Sequence, residues 1–139
     1  MNPWPRSSGA ITLFVEDLEA VKSFYQDAFG LPVMFTDDNS AVFDFGNTAI
    51  NLRATSSASE PIHPAVVAGR AAGSRLQLTT DVDDVDAMCF ELATGGVTLL
   101  NGPMNRPWGI RTASFVDPGG HIWEIAGAIP SAANETWDR

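Results

Sequence analysis

The chain has 139 residues, of which 45% are hydrophobic and 18% are charged, and it carries a formal net charge of -9. This size and composition are typical of one compact globular unit. No apolar run approaches the roughly 20 residues of a membrane-spanning helix, and the N-terminus lacks the apolar stretch of a signal peptide. An acidic chain is repelled by nucleic acids and anionic membranes. We therefore expect a small-molecule ligand. The single cysteine, Cys89, has no intrachain partner, which predicts a cytoplasmic protein.

The first half of the chain predicts one β-α-β-β-β unit after an irregular arm at residues 1–9. Residues 10–16 alternate between two faces, as a half-buried strand does. Asp17 is a suitable N-cap for a helix that carries an apolar stripe at helical spacing and ends at Gly30. Three short strands are predicted to follow, at residues 31–36, 40–45 and 48–54.

A stretch rich in serine, alanine and glycine, residues 55–74, separates this unit from the second half. It is predicted to be a linker or mobile loop, and its length leaves a role as a lid open. The second half begins with a strand at residues 75–82 and a helix that starts at Asp84 and ends at Gly95. The remaining predicted elements are strands at residues 97–100, 110–116 and 121–127, a loop at 101–109 and a loosely ordered tail from 128.

The two halves repeat one another. The sequence VEDLEA at residues 15–20 matches VDDVDA at residues 82–87, and GLPV at residues 30–33 matches GVTL at residues 96–99. A tandem duplication predicts an α+β fold in which two βαβββ modules pair their sheets around a central groove, with the helices on the outer faces. The predicted organisation is an arm at residues 1–9, a first module at 10–54, a linker at 55–74, a second module at 75–127 and a tail at 128–139, together forming one structural domain.

Strand alternation assigns side chains to the predicted groove. Glu124 lies on the face of its strand opposite to Trp123, where it ligates something, pairs with a cation or lines a wet groove, because burying it unpaired is costly. The duplication gives Glu124 a counterpart in Asn51 and pairs Ala10 with Gln77. Nine further side chains are predicted to face the groove: Thr12, Phe14, Asp44, Arg53, Thr79, Asp81, Arg111, Ala113 and Phe115. Five are predicted to pack under the helices: Ile50, Leu52, Leu76, Leu78 and Trp123.

Three segments carry a family resemblance: ITLFVEDLEAVKSFYQDAFGL, its second copy DVDDVDAMCFELATGGV, and the ending PWGIRTASFVDPGGHIWEIA. With these segments the chain resembles the vicinal oxygen chelate superfamily, which contains glyoxalases, bleomycin-resistance proteins and extradiol dioxygenases. The resemblance covers residues 10–127 and is specific for the fold rather than the activity. It implies that metal-using members place His or Glu ligands at the positions of Ala10, Asn51, Gln77 and Glu124.

These four positions contain one carboxylate. Alanine has no donor atom, and amide oxygens are weak ligands for Zn, Fe, Ni or Mn. No histidine occurs in residues 10–16 or 75–82, so shifting the alignment by one residue does not supply one. We expect neither a metal nor another cofactor, and Asp44 and Asp81 are left as unorthodox ligands.

The resemblance is then strongest to the metal-free resistance proteins, which bind a drug without altering it. We therefore predict a small-molecule binding protein, and the family implies a homodimer. The acidic groove side chains would suit a basic ligand, and Trp108 would stack on a planar or cationic one. The predicted ligand-binding residues are Thr12, Phe14, Asp44, Asn51, Arg53, Gln77, Trp108, Arg111, Phe115 and Glu124.

Two other functions stay open. The first is an enzyme of the same superfamily, a lyase, isomerase or dioxygenase, that uses an atypical metal shell around Glu124 or Glu124 alone as general base. The second is an interaction protein in which the groove is vestigial. A bound compound that is recovered unchanged would indicate a binding protein, and a chemically converted one would indicate an enzyme.

Several other side chains have a structural and a functional interpretation. Arg53 and Arg111 either clamp a ligand carboxylate or neutralise the groove acids, and the second role is favoured. Trp108 either contacts ligand or anchors its own loop. Two histidines, His63 and His121, are expected in a loop and a turn rather than in catalysis. Cys89 is expected to pack in the core, with no redox role.

Overall fold

The computed structural model describes residues 3–131, without the side chain of Ser59. Within this part the chain forms eight strands and three α-helices. In chain order they are β1 (Ala10–Val15), α1 (Leu18–Ala28), β2 (Val33–Thr36), β3 (Ser40–Asp44), β4 (Ala49–Ala54), α2 (Ser59–Ile62), β5 (Gln77–Asp81), α3 (Val85–Thr94), β6 (Leu99–Asn105), β7 (Arg111–Val116) and β8 (Ile122–Gly127). None of these helices is long and apolar enough to cross a membrane.

The strands form two four-stranded mixed sheets, which confirms the predicted α+β class. In the first sheet the order is β1-β4-β3-β2, with β1 parallel to β4 and the other pairs antiparallel. The second sheet repeats this arrangement as β5-β8-β7-β6. Here β5 is parallel to β8, and the other pairs are antiparallel. A parallel pair requires a long crossover, and the chain between the paired strands supplies it.

The described chain divides into two compact units. The first contains residues 3–75 together with the turn at 117–121, and the second contains residues 76–116 and 122–131. The turn therefore packs with the first unit, although it joins two strands of the second. The segment predicted as a linker contains helix α2 and two 3-10 turns, Thr55–Ser57 and Arg70–Ala72.

Both long helices begin at the predicted aspartates. Asp17 Oδ1 accepts a hydrogen bond from Ala20 N at 3.1 Å, and Asp84 Oδ1 accepts one from Ala87 N at 3.0 Å. Each carboxylate satisfies a backbone N–H that has no partner inside the helix. On α1 the buried side chains are Leu18, Val21 and Tyr25, and on α3 they are Val85, Cys89 and Leu92. Their spacing matches the predicted apolar stripes, so each helix buries one face.

The strand register corrects three predicted orientations. Phe115 lies opposite Trp123, and Ala113 lies opposite Ile125, so both share the core face of β8. Arg111 has the same parity on β7 and also lies on this face, not on the face of Glu124. Directly opposed residues of an antiparallel pair point to the same side of the sheet. The sequence of a short strand that follows an irregular loop does not show which residues of the neighbouring strand it pairs with, so these orientations were predicted wrongly. The core side of the first sheet was predicted correctly, since Ile50 and Leu52 are buried.

Two further predictions in the second module were wrong. Leu76 precedes β5 and is 44% exposed, so it does not pack under a helix. Strand β6 extends through residues 101–105, where a loop was predicted, and its register shifts twice along that length. Gly102 permits this path, because its φ is +86° and a Cβ atom there would lie 2.5 Å from the carbonyl oxygen of Thr112.

A buried carboxylate organises the turn at residues 117–121. Asp117 is 1% exposed and accepts a 2.7 Å hydrogen bond at Oδ2 from the hydroxyl of Tyr25, which is 0% exposed. Its Oδ1 accepts from the backbone N–H groups of Gly119 at 2.8 Å and His121 at 3.0 Å. Burial raises the pKa of Asp117, but the His121 side chain and backbone N–H and the Tyr25 hydroxyl outweigh burial and hold the pKa below its usual 3.8.

Removal of the tyrosine hydroxyl is expected to destabilise the protein. Tyr25→Phe should lower the free energy of unfolding at pH 7 by about 1–3 kcal/mol, because a buried carboxylate loses a charge-assisted hydrogen bond. A carboxylate with a lowered folded pKa contributes stability that is complete above its unfolded pKa and is lost as the pH falls through the folded pKa. The difference between the variant and the wild type should thus be constant from pH 7 to about pH 4 and shrink below it.

Urea unfolding across this pH range measures the difference. Ser23→Ala is the matched control, since Ser23 is exposed on the same helix and its hydroxyl contributes to no buried contact. The control is expected to change stability by less than about 0.5 kcal/mol. A Tyr25→Phe difference that widens toward low pH would contradict the assigned role of Asp117.

Candidate functional site

A row of polar side chains crosses the open face of the second sheet, the face turned away from its core. Register places Glu124 beside Thr79 on β5 and beside Ser114 on β7, and Ser114 lies opposite Asn101 on β6. Thr79 Oγ1 donates a 3.0 Å hydrogen bond to Glu124 Oε1. Glu124 is half-buried, so its carboxylate remains accessible on this face. We call Thr79, Glu124, Ser114 and Asn101 the polar row.

The open face of the first sheet has a related arrangement. Asn51 lies beside Thr12 on β1, and its Nδ2 group donates to Thr12 Oγ1 at 3.3 Å. The Oδ1 atom of Asn51 is buried and accepts no hydrogen bond within the described chain. A buried acceptor without a donor is costly, so this atom is a candidate contact for a bound molecule.

The two arrangements are equivalent by register. In each module a threonine of the first strand lies beside the polar residue of the last strand and is hydrogen-bonded to it, Thr12 with Asn51 and Thr79 with Glu124. The sequence repeat matched Asn51 with Glu124, and the parallel pairing supports this match. The paired threonines were not singled out as partners from the sequence, because they become neighbours only when the strands pair.

The other predicted groove residues fall into two groups. On the open face of the first sheet lie Ala10, Thr12, Phe14, Asp44, Asn51 and Arg53, and on that of the second lie Gln77, Thr79, Asp81 and Glu124. Arg111, Ala113 and Phe115 lie on the core side of the second sheet instead. Phe115 is 1% exposed, so this side chain is a core residue rather than the floor of a ligand site.

Neither arginine neutralises the acids that were predicted as its partners. Arg53 Nη2 lies 2.6 Å from Glu60 Oε1. Arg111 Nη2 lies 2.9 Å from Asp86 Oδ1, on the first turn of α3. The predicted pairing with Glu124 and Asp44 was wrong, since both arginines found carboxylates supplied by nearby helices. Asp44 instead accepts a 2.7 Å hydrogen bond from the backbone N–H of Gly46.

Sequence reasoning missed Arg106, which lies between β6 and β7. Its Nε group donates to Thr112 Oγ1 at 2.7 Å, and its Nη2 group donates to Asn101 Oδ1 at 2.9 Å. The guanidinium carbon is 5.9 Å from the ring centroid of Trp108, a cation–π distance. Trp108 is 67% exposed, so it is not a buried loop anchor. The available signal was the sequence Arg-Pro-Trp, a cation two positions before an aromatic residue in a proline-containing loop.

The histidines remain outside this arrangement. His63 is exposed, after helix α2. The Nδ1 atom of His121 lies 3.7 Å from Asp117 Oδ1, too long for a hydrogen bond, and belongs to the turn described above. Both positions agree with the predicted loop and turn.

The donor set does not fit a transition metal. Of Ala10, Asn51, Gln77 and Glu124, only Glu124 has a charged ligand atom, and one oxygen of that carboxylate is hydrogen-bonded to Thr79. In residues 3–131 no three His, Cys, Asp or Glu side chains lie close enough together to hold a metal ion. Because imidazole and carboxylate groups dominate such sites, these residues provide no metal centre of the usual kind.

Comparison with known families agrees with this architecture. Residues 8–125 match the model of the Glyoxalase/Bleomycin resistance protein/Dioxygenase superfamily. The chain belongs to this superfamily. It is 33% identical over 120 residues to the uncharacterized protein YraH of Bacillus subtilis (strain 168), a match that covers 83% of this chain and 93% of YraH.

Solved structures of superfamily members share the fold. A glyoxalase/bleomycin resistance protein/dioxygenase from Nocardioides has a TM-score of 0.82 at 20% identity, covering 94% of this chain and 88% of that one. A glyoxalase-related enzyme from Fulvimarina pelagi has a TM-score of 0.76 at 26% identity, covering 88% of both chains. At sequence identities this low, the shared fold does not establish an activity. The activity of this chain has to be inferred from its own residues.

The corrected position of Arg111 gives a testable prediction about Cys89. Burial raises the pKa of the Cys89 thiol above its usual 9.0, Asp86 raises it further, and Arg111 lowers it. Arg111→Gln should therefore shift the thiol pKa upward, and Asp86→Asn should shift it downward. The pH dependence of iodoacetamide alkylation at Cys89, followed by mass spectrometry, measures both shifts.

Arg106→Gln is the control for this experiment. It removes the same charge from the open face of the sheet and is expected to leave the thiol pKa unchanged. Equal shifts in Arg111→Gln and Arg106→Gln would contradict the placement of Arg111 on the side of α3.

Proposed function

We propose that this protein binds a small organic molecule with a basic group and releases it chemically unchanged. The observation that carries the proposal is Glu124, a half-buried carboxylate without a cationic partner. The ion pairs within residues 3–131 involve Glu60, Asp86 and Asp117, and none involves Glu124. A half-buried carboxylate with one neutral hydrogen-bond donor favours a cation placed against it.

The groups around Glu124 support binding without reaction. The residues directly beside it, Thr79 and Ser114, are neutral hydroxyls, and Asp81, which shares this face, lies beside Ala126 rather than beside Glu124. Proton transfer chemistry usually needs a second titratable group or a metal beside the first. The open face instead offers neutral hydrogen-bonding groups, which orient a ligand without reacting with it.

Two further features support a small-molecule ligand. The exposed ring of Trp108 provides an aromatic surface for a planar group. In the first module the buried Oδ1 atom of Asn51 has no donor, and a ligand N–H or O–H group would satisfy it. We propose Trp108, Gln77 and Glu124 as ligand contacts of the second module and, separately, Asn51 and Thr12 as ligand contacts of the first.

We also infer that the protein forms a homodimer and that it is located in the cytoplasm. Met34 and Phe35 are 60% and 55% exposed on β2, which is an edge strand of the first sheet. An exposed apolar edge favours association with a second copy. The free thiol of Cys89 fits a reducing compartment.

Sedimentation velocity tests the dimer. The main species at micromolar concentration should have twice the 14.8 kDa mass of the chain, and Phe35→Glu should shift it toward the monomer. Val66→Glu is the matched control, because Val66 is 88% exposed in a loop outside both sheets. A monomeric wild type would contradict the inference.

Substitution of the carboxylate tests the binding function. Tryptamine carries an aromatic ring and an ammonium group, whereas N-acetyltryptamine is its neutral counterpart. The wild type should bind tryptamine more tightly, and Glu124→Gln should weaken tryptamine binding at least tenfold, about the value of one charge-assisted hydrogen bond. Isothermal titration calorimetry measures both affinities. Glu91→Gln, which removes an exposed carboxylate from α3, should leave them unchanged.

Two results would favour an enzyme instead. The first is catalytic conversion of tryptamine or a related amine, detected by mass spectrometry after prolonged incubation. The second is about one equivalent of a transition metal per chain in protein purified without chelators, since one catalytic metal site holds one ion. An unchanged tryptamine affinity in Glu124→Gln would contradict the assigned role of the carboxylate.

A further inference from the structure

Arg106 lies over the open face of the second sheet. Both acceptors of its guanidinium belong to this face, because Thr112 has the same parity on β7 as Ser114, and Asn101 lies opposite Ser114 on β6. Their hydrogen bonds to Arg106, at 2.7 Å and 2.9 Å, fix the plane of the guanidinium group. Thr112 is 0% exposed, so one end of the guanidinium is anchored on a buried hydroxyl.

The charge of Arg106 is not compensated by an acidic side chain. Its two hydrogen-bond acceptors are neutral, and its third contact is the ring of Trp108. The ion pairs in the described part of the chain use Arg53, Arg111 and His121, and none uses Arg106. This is unusual in a chain with a formal net charge of -9, where acidic partners are plentiful. Within residues 3–131 these two hydrogen bonds use two of the five N–H donors of Arg106, so that three remain available, two of them on Nη1.

Arg106 and Glu124 therefore place a positive and a negative charge along the same polar row. Arg106 is bonded to Asn101, the last member of the polar row, and Glu124 lies two strands away in the same row. Two strand spacings separate the Cα atoms of Glu124 and Asn101 by about 10 Å. The face thus presents an uncompensated carboxylate and an uncompensated guanidinium at a fixed separation, with neutral Ser114 between them.

We propose that Arg106 is an anion-binding residue, and that the ligand is a small zwitterion whose ammonium group meets Glu124 and whose carboxylate meets Arg106. This inference rests on the proposed function and specifies its ligand class. A guanidinium held by two neutral acceptors keeps its remaining N–H groups oriented for a carboxylate. The ring of Trp108 at the same end would contact an aromatic or apolar side chain of the ligand. Short peptides have this chemistry, since the termini of an extended dipeptide lie about 7 Å apart.

Four forms of one dipeptide test the proposal. They are Gly-Trp with free termini, the N-acetylated form, the C-terminal amide, and the form blocked at both ends. Isothermal titration calorimetry with the wild type should give the tightest binding for the free dipeptide. The C-terminal amide should bind at least tenfold more weakly, because the charge-assisted hydrogen bonds to Arg106 are lost.

Arg106→Gln should remove this preference. The variant should bind the free dipeptide and the C-terminal amide with equal affinity, and its affinity for the amide should match that of the wild type. The second result separates loss of the anion contact from general damage to the fold, which would weaken both peptides. Arg106→Lys should retain only part of the preference, because an ammonium group cannot hold Asn101 and Thr112 while also presenting two parallel donors. Arg111→Gln removes the same charge from the core side of the sheet, and its preference should equal that of the wild type.

The outcomes distinguish this inference from the proposed function. If the wild type binds the amide as tightly as the free dipeptide, and Glu124→Gln weakens both, the anion subsite is overturned while the binding function stands. If Arg106→Gln and Arg111→Gln lose the preference equally, the effect is one of overall charge, and the subsite is also overturned. If neither tryptamine nor any of the four peptides binds, both proposals fail.

Discussion

Parallel pairing between the first and last strands of each module is the constraint on which the candidate site depends. It places Thr12 beside Asn51 and Thr79 beside Glu124, so that each polar residue of a last strand has a hydrogen-bonding neighbour on the open face. The crossover helix that makes the parallel connection also covers the other face with apolar side chains. The hydrogen-bonded polar pairs of the first and last strands consequently lie on the open side of each sheet. The candidate site lies on the open face of each sheet, which the crossover helix of its module does not cover.

Ion pairs with nearby helices determine which charged side chains lack an oppositely charged partner. Arg53 and Arg111 have one carboxylate each from a neighbouring helix, and these half-exposed pairs are weak contributors to stability. They nevertheless remove two arginines from the set of ligand contacts. Glu124, within the polar row, and Arg106, which is bonded to Asn101 at one end of that row, are left with neutral hydrogen-bond partners. Under the proposed zwitterion-binding role, the pairing of β8, β7 and β6 sets the spacing of the strands that carry Glu124 and the Arg106 acceptors.

Membership of the glyoxalase/bleomycin resistance protein/dioxygenase superfamily establishes a fold that supports both catalysis and binding. The four positions that the sequence resemblance assigns to metal ligands hold Ala10, Asn51, Gln77 and Glu124 in this chain. Three of these four residues are polar, but together they do not supply the donor set of a metal centre. One face of a sheet can thus change its role while the fold persists, because the core face and the open face of each strand vary independently. Asp117 and Tyr25 belong to the part that persists, since they hold a turn rather than a ligand.

The sequence by itself determined the order of the eight strands and the two long helices, the N-caps Asp17 and Asp84, the duplication and the apolar faces of β1 and β4. Each of these depends on residues close in the chain, where capping and alternation act directly. Tertiary structure alone decided the faces of Arg111 and Phe115, the partners of Arg53, and the position of Arg106 over the polar row. These depend on strand register after irregular loops and on side chains from distant elements. A one-residue shift of register reverses every side chain of a strand, and nothing local to that strand records the shift.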